Sequence, residues 1–145
     1  MNEYEIQVDL LNVLLQLEPN SNELLWERST LLERWGNALL KRNRFDAALE
    51  KYRASVGDKI AVLESETERD AMEADAKRLR LARNYLGIAT LETIMERRDE
   101  ARADCEAAIQ TLEKVTRCKE TRKEVEELLQ DARETMNQTL EGVAM

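Results

Sequence analysis

Residues Leu32 to Ser55 read LERWGNALLKRNRFDAALEKYRAS, and the rest of the chain takes its interpretation from this stretch. Leading into it and through its first half, apolar residues recur at Leu24, Leu25, Leu31, Leu32, Trp35, Ala38 and Leu39. Steps of three and four put them on one stripe of a helix over 22–43. Asn43-Arg44-Phe45-Asp46 then interrupts the pattern. Asn tolerates the left-handed backbone that ends many helices, and Asp caps the next one. A second helix, 46–64, follows with Ala48, Leu49, Tyr52 and Val56 at helical spacing beside Phe45. A break this short between two amphipathic helices makes an antiparallel pair. Gly36 sits in mid-helix, at a cost of about 0.8–1 kcal/mol against Ala. Such a loss points to close approach of a neighbouring rod. Small Ala48 on the facing helix is the expected contact, with Trp35 and Tyr52 filling the space on either side.

These residues resemble the tetratricopeptide repeat, whose pattern is W-x-x-L-G-x-x-Y followed by a small Ala and then an aromatic. Leu32, Trp35, Gly36 and Leu39 match the first helix, with Leu in place of the leading Trp, and Phe45, Ala48 and Tyr52 match the turn and second helix. Ser55 stands where a further small Ala is usual, and the closing Pro is absent. A degenerate copy lies in 83–108, at Leu86, Gly87, Ala101, Cys105 and Ala108. Pairing Gly36 with Gly87 makes the second turn two residues longer than the first. It also gives a period of 51 residues, against about 34 for the standard repeat, so longer helices are implied. The resemblance implies an all-α fold of antiparallel hairpins stacked as a short solenoid. The steric reading under it is that Gly36 and Gly87 mark places where neighbouring helices press together.

Composition agrees with that fold class. The 145 residues suit one domain, with 36% charged residues, 4% aromatic, four Gly and one Pro. Few breakers and abundant Leu, Ala, Glu and Arg favour helix throughout. The formal charge of −8 argues against a nucleic-acid partner, because phosphate affinity comes from Lys and Arg. Residues 1–26 hold five acids and no base, and residues 124–145 hold six acids and one Arg, so the acidity sits at the two ends. That distribution keeps the terminal helices solvated or steers an electropositive partner to them. No apolar run approaches the ~20 residues of a membrane span, and the N-terminus opens with acids rather than a basic signal region. The chain reads as cytoplasmic, with Cys105 and Cys118 as reduced structural thiols.

In order along the chain, a first helix over 2–17 turns Ile6, Leu10, Val13, Leu14 and Leu17 inward. Val8, Leu11 and Leu15 widen its stripe beyond one ordinary face. Pro19 stops it, and Asn20 caps the helix of 22–43. From Asp58 to Tyr85 neither Gly nor Pro intervenes. Ser65 with Glu68 nevertheless offers a capping box, and an uninterrupted rod would leave an apolar face bare. A turn near 65–67 is therefore expected, then helices over 67–96, 99–117 and 121–140. Met72 lies on the apolar stripe of the first of these, and Thr121 with Glu124 caps the last. The tail Gly142–Met145 is expected to fray.

Catalytic chemistry is sparse. With no His the commonest general base and metal ligand is absent, and no phosphate loop, nucleophile elbow or zinc spacing occurs. Clusters such as Glu124, Glu126 and Glu127 read as a solvated helix face. A non-catalytic chain without cofactor or metal is the expectation. The repeat resemblance implies instead a groove for a peptide or helix of another protein. Carried over by position, its lining is Thr30, Glu33, Asn37 and Lys41, then Asn84, Ile88 and Glu92, with Tyr85 as an anchor. Trp26 is a second candidate anchor but reads better as packing against the first helix. Glu33 stands where carboxylate-clamp repeats use Lys, which argues against a terminal carboxylate as ligand. The alternative is a self-assembling protein that buries its first helix, unusually rich in Leu and Val, between copies.

Overall fold

The computed structural model describes residues 2–65, 71–115 and 119–144. Six helices make up nearly all of them: α1 (Glu3–Leu17), α2 (Asn22–Lys41), α3 (Phe45–Ser65), α4 (Ala71–Ile94), α5 (Arg98–Glu113) and α6 (Lys119–Ala144). No strand occurs among the described residues. The all-α class, the antiparallel hairpins and the number of helices follow the sequence reading, and most boundaries fall within a few residues of those expected. The expected turn near 65–67 lies for the most part outside the described residues, together with Glu68 of its capping box, the Met72 side chain and Cys118. Gly57 lies inside α3 and does not end it. Helix α6 is already formed at Lys119 and continues to Ala144, so Thr121 does not cap it and Gly142–Ala144 are helical rather than frayed. The chain divides into two units, residues 1–66 and 67–145.

In the first unit the local signals act much as written. The Asn2 side chain accepts from the Glu5 amide at 2.7 Å to start α1, and the Glu18 amide closes it on Leu14 O just before Pro19. Ser21, rather than Asn20, caps α2 by accepting from the Leu24 amide. At the end of α2, Asn43 takes φ 59°. Its amide bonds Leu40 O and the Arg44 amide bonds Leu39 O, the paired bonds of a Schellman turn. Asp46 falls in the first turn of α3, where its charge suits the helix dipole, and not at the cap.

The reversal at 42–44 sets α2 against α3, and the cross-links run in opposite senses along the two helices. The Tyr52 hydroxyl donates to Asn37 Oδ1 at 2.5 Å. The Ser55 hydroxyl donates to Ser29 O at 2.7 Å, and the Ser65 hydroxyl donates to Asn22 Oδ1 at 2.8 Å. Arg28 grips Asp58 with two nitrogens, at 2.8 and 2.7 Å. Gly36 is buried, as expected, and the atoms nearest to it belong to the Tyr52 ring. A Cβ at position 36 would stand 2.7 Å from that ring. Helix α1 packs on α2 through Val8, Leu11 and Leu15, and Arg28 also donates to Asn12 of α1 at 2.9 Å.

In the second unit α4, α5 and α6 form a three-helix group. Leu79, Ala82 and Leu86 of α4 meet Ala108, Leu112 and Val115 around the C-terminal end of α5, and Leu128 and Ala132 of α6 close the cluster. Ala89, Ala101 and Cys105 form a second cluster, with Met136 against it. Glu96 takes φ 62°, its amide bonds Thr93 O, and the Arg97 amide bonds Glu92 O. This is the same turn as at Asn43, 53 residues on. The two turns are therefore equal in length, and the second is not the longer one expected.

That register makes Ala89, and not Gly87, the counterpart of Gly36. Ala89 is fully buried beside Cys105, just as Gly36 is buried beneath Tyr52. Gly87 is exposed, with nothing within 4 Å of where its Cβ would be. The expectation that Gly87 marks a close helix contact is thus overturned. A large ring needs the smallest residue opposite it, whereas a thiol leaves room for a methyl.

The two glycines should respond with opposite sign to alanine. Gly36→Ala gains the ordinary helix preference of about 0.8–1 kcal/mol but overpacks a pinned ring at a cost of about 1–3 kcal/mol, so urea unfolding should show a net loss. Gly87→Ala should raise stability by nearly the whole helix preference. A loss of stability in that variant would refute its open environment. At Glu96 the left-handed backbone costs a non-glycine residue roughly 1–2 kcal/mol. Glu96→Gly should therefore stabilise the chain by about 0.5–1 kcal/mol after the entropy of glycine in the unfolded chain is set against it, read in the same unfolding curves.

Candidate functional site

Consecutive residues of a helix are turned by about 100°, so apolar positions spaced three and four apart collect on one face. In α1 there are two such sets. Val8, Leu11 and Leu15 form one and are buried. Ile6, Leu10, Val13 and Leu17 form the other, two residues out of phase and so nearly opposite, with Leu14 beside it. This second set is 54, 60, 54 and 77% exposed, and Leu14 is 39% exposed. The expectation that these five residues turn inward is overturned. Both sets have helical spacing, and α2 covers the other one.

Of the six large apolar side chains exposed among the described residues, five lie on this one face of α1. Single exposed apolar residues need no explanation, whereas a contiguous patch marks a site of interaction. Full burial of an aliphatic side chain contributes about 1.5–3 kcal/mol. Covering the exposed half of these five would contribute several kcal/mol. Glu3 and Asp9 border the stripe and α1 carries no Lys or Arg, so the surface is apolar with an acidic margin.

The residues expected to line a groove are less available. On α2, the Thr30 hydroxyl is spent on Trp26 O of its own helix at 3.1 Å, while Asn37 is exposed but accepts from Tyr52. Lys41 is exposed at the end of the helix. Glu33 is half-buried and lies 4.0 Å from the Lys59 ammonium, so it serves the hairpin. On α4, Asn84 and Ile88 are buried and Tyr85 packs against the second unit's core. Glu92 is fully buried as well. None of the three α4 residues Asn84, Ile88 and Glu92 offers an open surface to a peptide. Trp26 is half-buried, its ring centroid 5.6 Å from the Lys59 ammonium.

Lys59 itself was not singled out by sequence reasoning. It is fully buried and donates to Ser55 Oγ at 2.7 Å. A serine beside a lysine can act as a nucleophile and its base. Here the Ser55 proton is directed to Ser29 O, and both side chains are sealed from solvent, so the pair knits α2 to α3 and presents no oxygen to a substrate. The signal that could have found it is a lysine on the inward face of α3, one turn after Ser55.

Cys105 is fully buried in the second unit. Burial, with Asp104, Glu92 and Glu106 nearby, pushes its thiol up to about 11, which keeps it protonated and unreactive at neutral pH. Among the described residues no cluster of acids and thiols is arranged to hold a metal ion, and no helix is long and apolar enough to cross a membrane. Compared with known proteins, the chain matches no protein-family model and no curated protein.

A thiol so placed should resist alkylation. In a Cys118→Ser background, iodoacetamide at neutral pH should leave Cys105 unlabelled in the folded chain and label it fully in denaturant, as read by mass spectrometry. Reactivity in the folded chain should appear only as pH approaches about 11. Rapid labelling under native conditions would contradict its burial.

Proposed function

We propose that this chain is a non-catalytic protein-interaction module of tetratricopeptide-like hairpins, and that its docking surface is the outer stripe of α1, which receives a partner helix. The observation that carries the reading is the concentration of exposed aliphatic side chains on one face of a helix whose other face is already seated on α2. Helices offer such stripes to amphipathic helices read at three- and four-residue spacing. The repeat resemblance is supported by the α2–α3 hairpin, where Ala48 is buried and Tyr52 lies against Gly36. A cytoplasmic setting fits the buried, protonated Cys105 thiol.

The probe is a fluorescein-labelled synthetic helix with a leucine seam, given lysine flanks so that the acidic margin of the stripe does not repel it. Its anisotropy should rise on titration with the chain. Leu10→Asp combined with Val13→Asp should weaken binding by at least about tenfold while leaving the helical circular dichroism intact, because both side chains point away from the core. Lys41→Ala, and Asn37→Asp, which keeps the oxygen that accepts from Tyr52, should leave binding unchanged. If the α2 substitutions abolish binding and the α1 pair does not, the groove expected from the repeat resemblance is the site and this assignment is wrong.

A further inference from the structure

We infer that the occupant of the α1 stripe is the same stripe of a second copy of this chain, the two α1 helices pairing antiparallel about a two-fold axis. This rests on the reading of the stripe as a docking surface and names what covers it. Ile6, Leu10, Val13 and Leu17 are spaced four, three and four apart, the seam of a two-stranded coiled coil. In an antiparallel pair with Leu10 opposite the second copy's Val13, Ile6 falls opposite the second copy's Leu17. Every apolar residue of the seam then meets an apolar residue. The pattern is self-complementary, as an isologous two-fold contact requires.

Charge selects the orientation. Glu3, Glu5 and Asp9 lie in the N-terminal half of α1, whereas Asn12 and Gln16 are neutral and α1 has no base to neutralise a second set of acids. Parallel pairing would bring Glu3 against its own copy in line with the seam and set the charged flank of one helix beside that of the other. Antiparallel pairing sets the acidic half of each helix against the neutral half of its mate. Asp9 then faces Gln16 across one edge, and Leu14 faces Gln7 across the other. No like charges meet at the seam.

Size sets the strength. Fifteen residues make a rod of roughly 22 Å. A pair of such rods buries less than the roughly 1,600 Å² of a standard interface. The dimer is therefore one that forms and dissociates with concentration.

Sedimentation equilibrium of the full chain tests this. The mass should move from the 16.8 kDa of one chain towards twice that between micromolar and millimolar concentration, and Leu10→Asp or Leu17→Asp should hold it at one chain throughout. Orientation is read by mild oxidation in a Cys118→Ser background. Mixing Leu10→Cys copies with Val13→Cys copies should give a cross-linked dimer, and Leu10→Cys alone should not. A wild-type mass that never rises, a Leu10→Asp chain that dimerises as well as wild type, or cross-linking of Leu10→Cys to itself would overturn the proposal. If the chain stays single while the lysine-flanked helix still binds the stripe, the second copy is the wrong occupant and the docking surface stands. If neither binds, both readings fall.

Discussion

The contact of the Tyr52 ring with the bare backbone of Gly36 holds the first unit in its form. It brings α2 and α3 closer than any side chain at position 36 would allow, and the ring is fixed from its far end by the bond from its hydroxyl to Asn37. About two turns along α2, Arg28 grips Asp58, buries part of its own charge in doing so, and has its proton held more tightly than usual, chiefly by that hydrogen bond. Between these two clasps lie Ser29 and Ser55, and Lys59, next after Asp58, reaches back to Ser55; all three are fully buried. Everything else in the unit depends on α2 being held this way, since α1 rests on α2.

The second hairpin uses the same turn with a different interior. In the register set by the two left-handed residues, the positions of Ser29, Glu33, Ser55 and Lys59 become Ala82, Leu86, Ala108 and Leu112. A hydrogen-bonded seam in one unit is an apolar cluster in the other, closed by Leu128 and Ala132 of α6. The pair Gly36 and Tyr52 becomes Ala89 and Cys105, in which volume lost from one side is partly returned on the other. Dense interiors accept such exchanges when the total volume is kept. Buried ionic groups add little net stability because desolvation offsets their attraction, so the polar seam is better understood as fixing which residues face each other along α2 and α3.

Several element boundaries were legible because they are written in a few local residues. Pro19 stops α1, Asn43 takes the left-handed turn, and the absence of Gly and Pro after Gly57 lets α3 run on to Ser65. The second turn was harder to place. Gly87 is conspicuous in a helix, and pairing it with Gly36 displaced the repeat by two residues, while Ala89, which does the steric work, looks ordinary. The inward face of α1 was not legible at all. Its two aliphatic sets have equal claims to helical spacing, and only the position of α2 decides between them. The expected groove failed on α4 for a related reason. Helical position was carried over from the resemblance, but the surroundings bury Asn84 and Ile88. On α2, the amide of Asn37 was already engaged by a hydroxyl fifteen residues away.

A helix with aliphatic residues on both sides has two ways to lie on its neighbour, differing by about half a roll around its own axis. Aliphatic content alone does not select the observed one, in which Val8, Leu11 and Leu15 are buried and five aliphatic residues stay outside. The guanidinium of Arg28 does, because its bond to Asn12 forms in only one of the two orientations; rolled over, that amide would leave the side where Arg28 waits. A directional bond on the edge of an otherwise greasy contact thus marks which hydrophobic side of the helix the outside world meets.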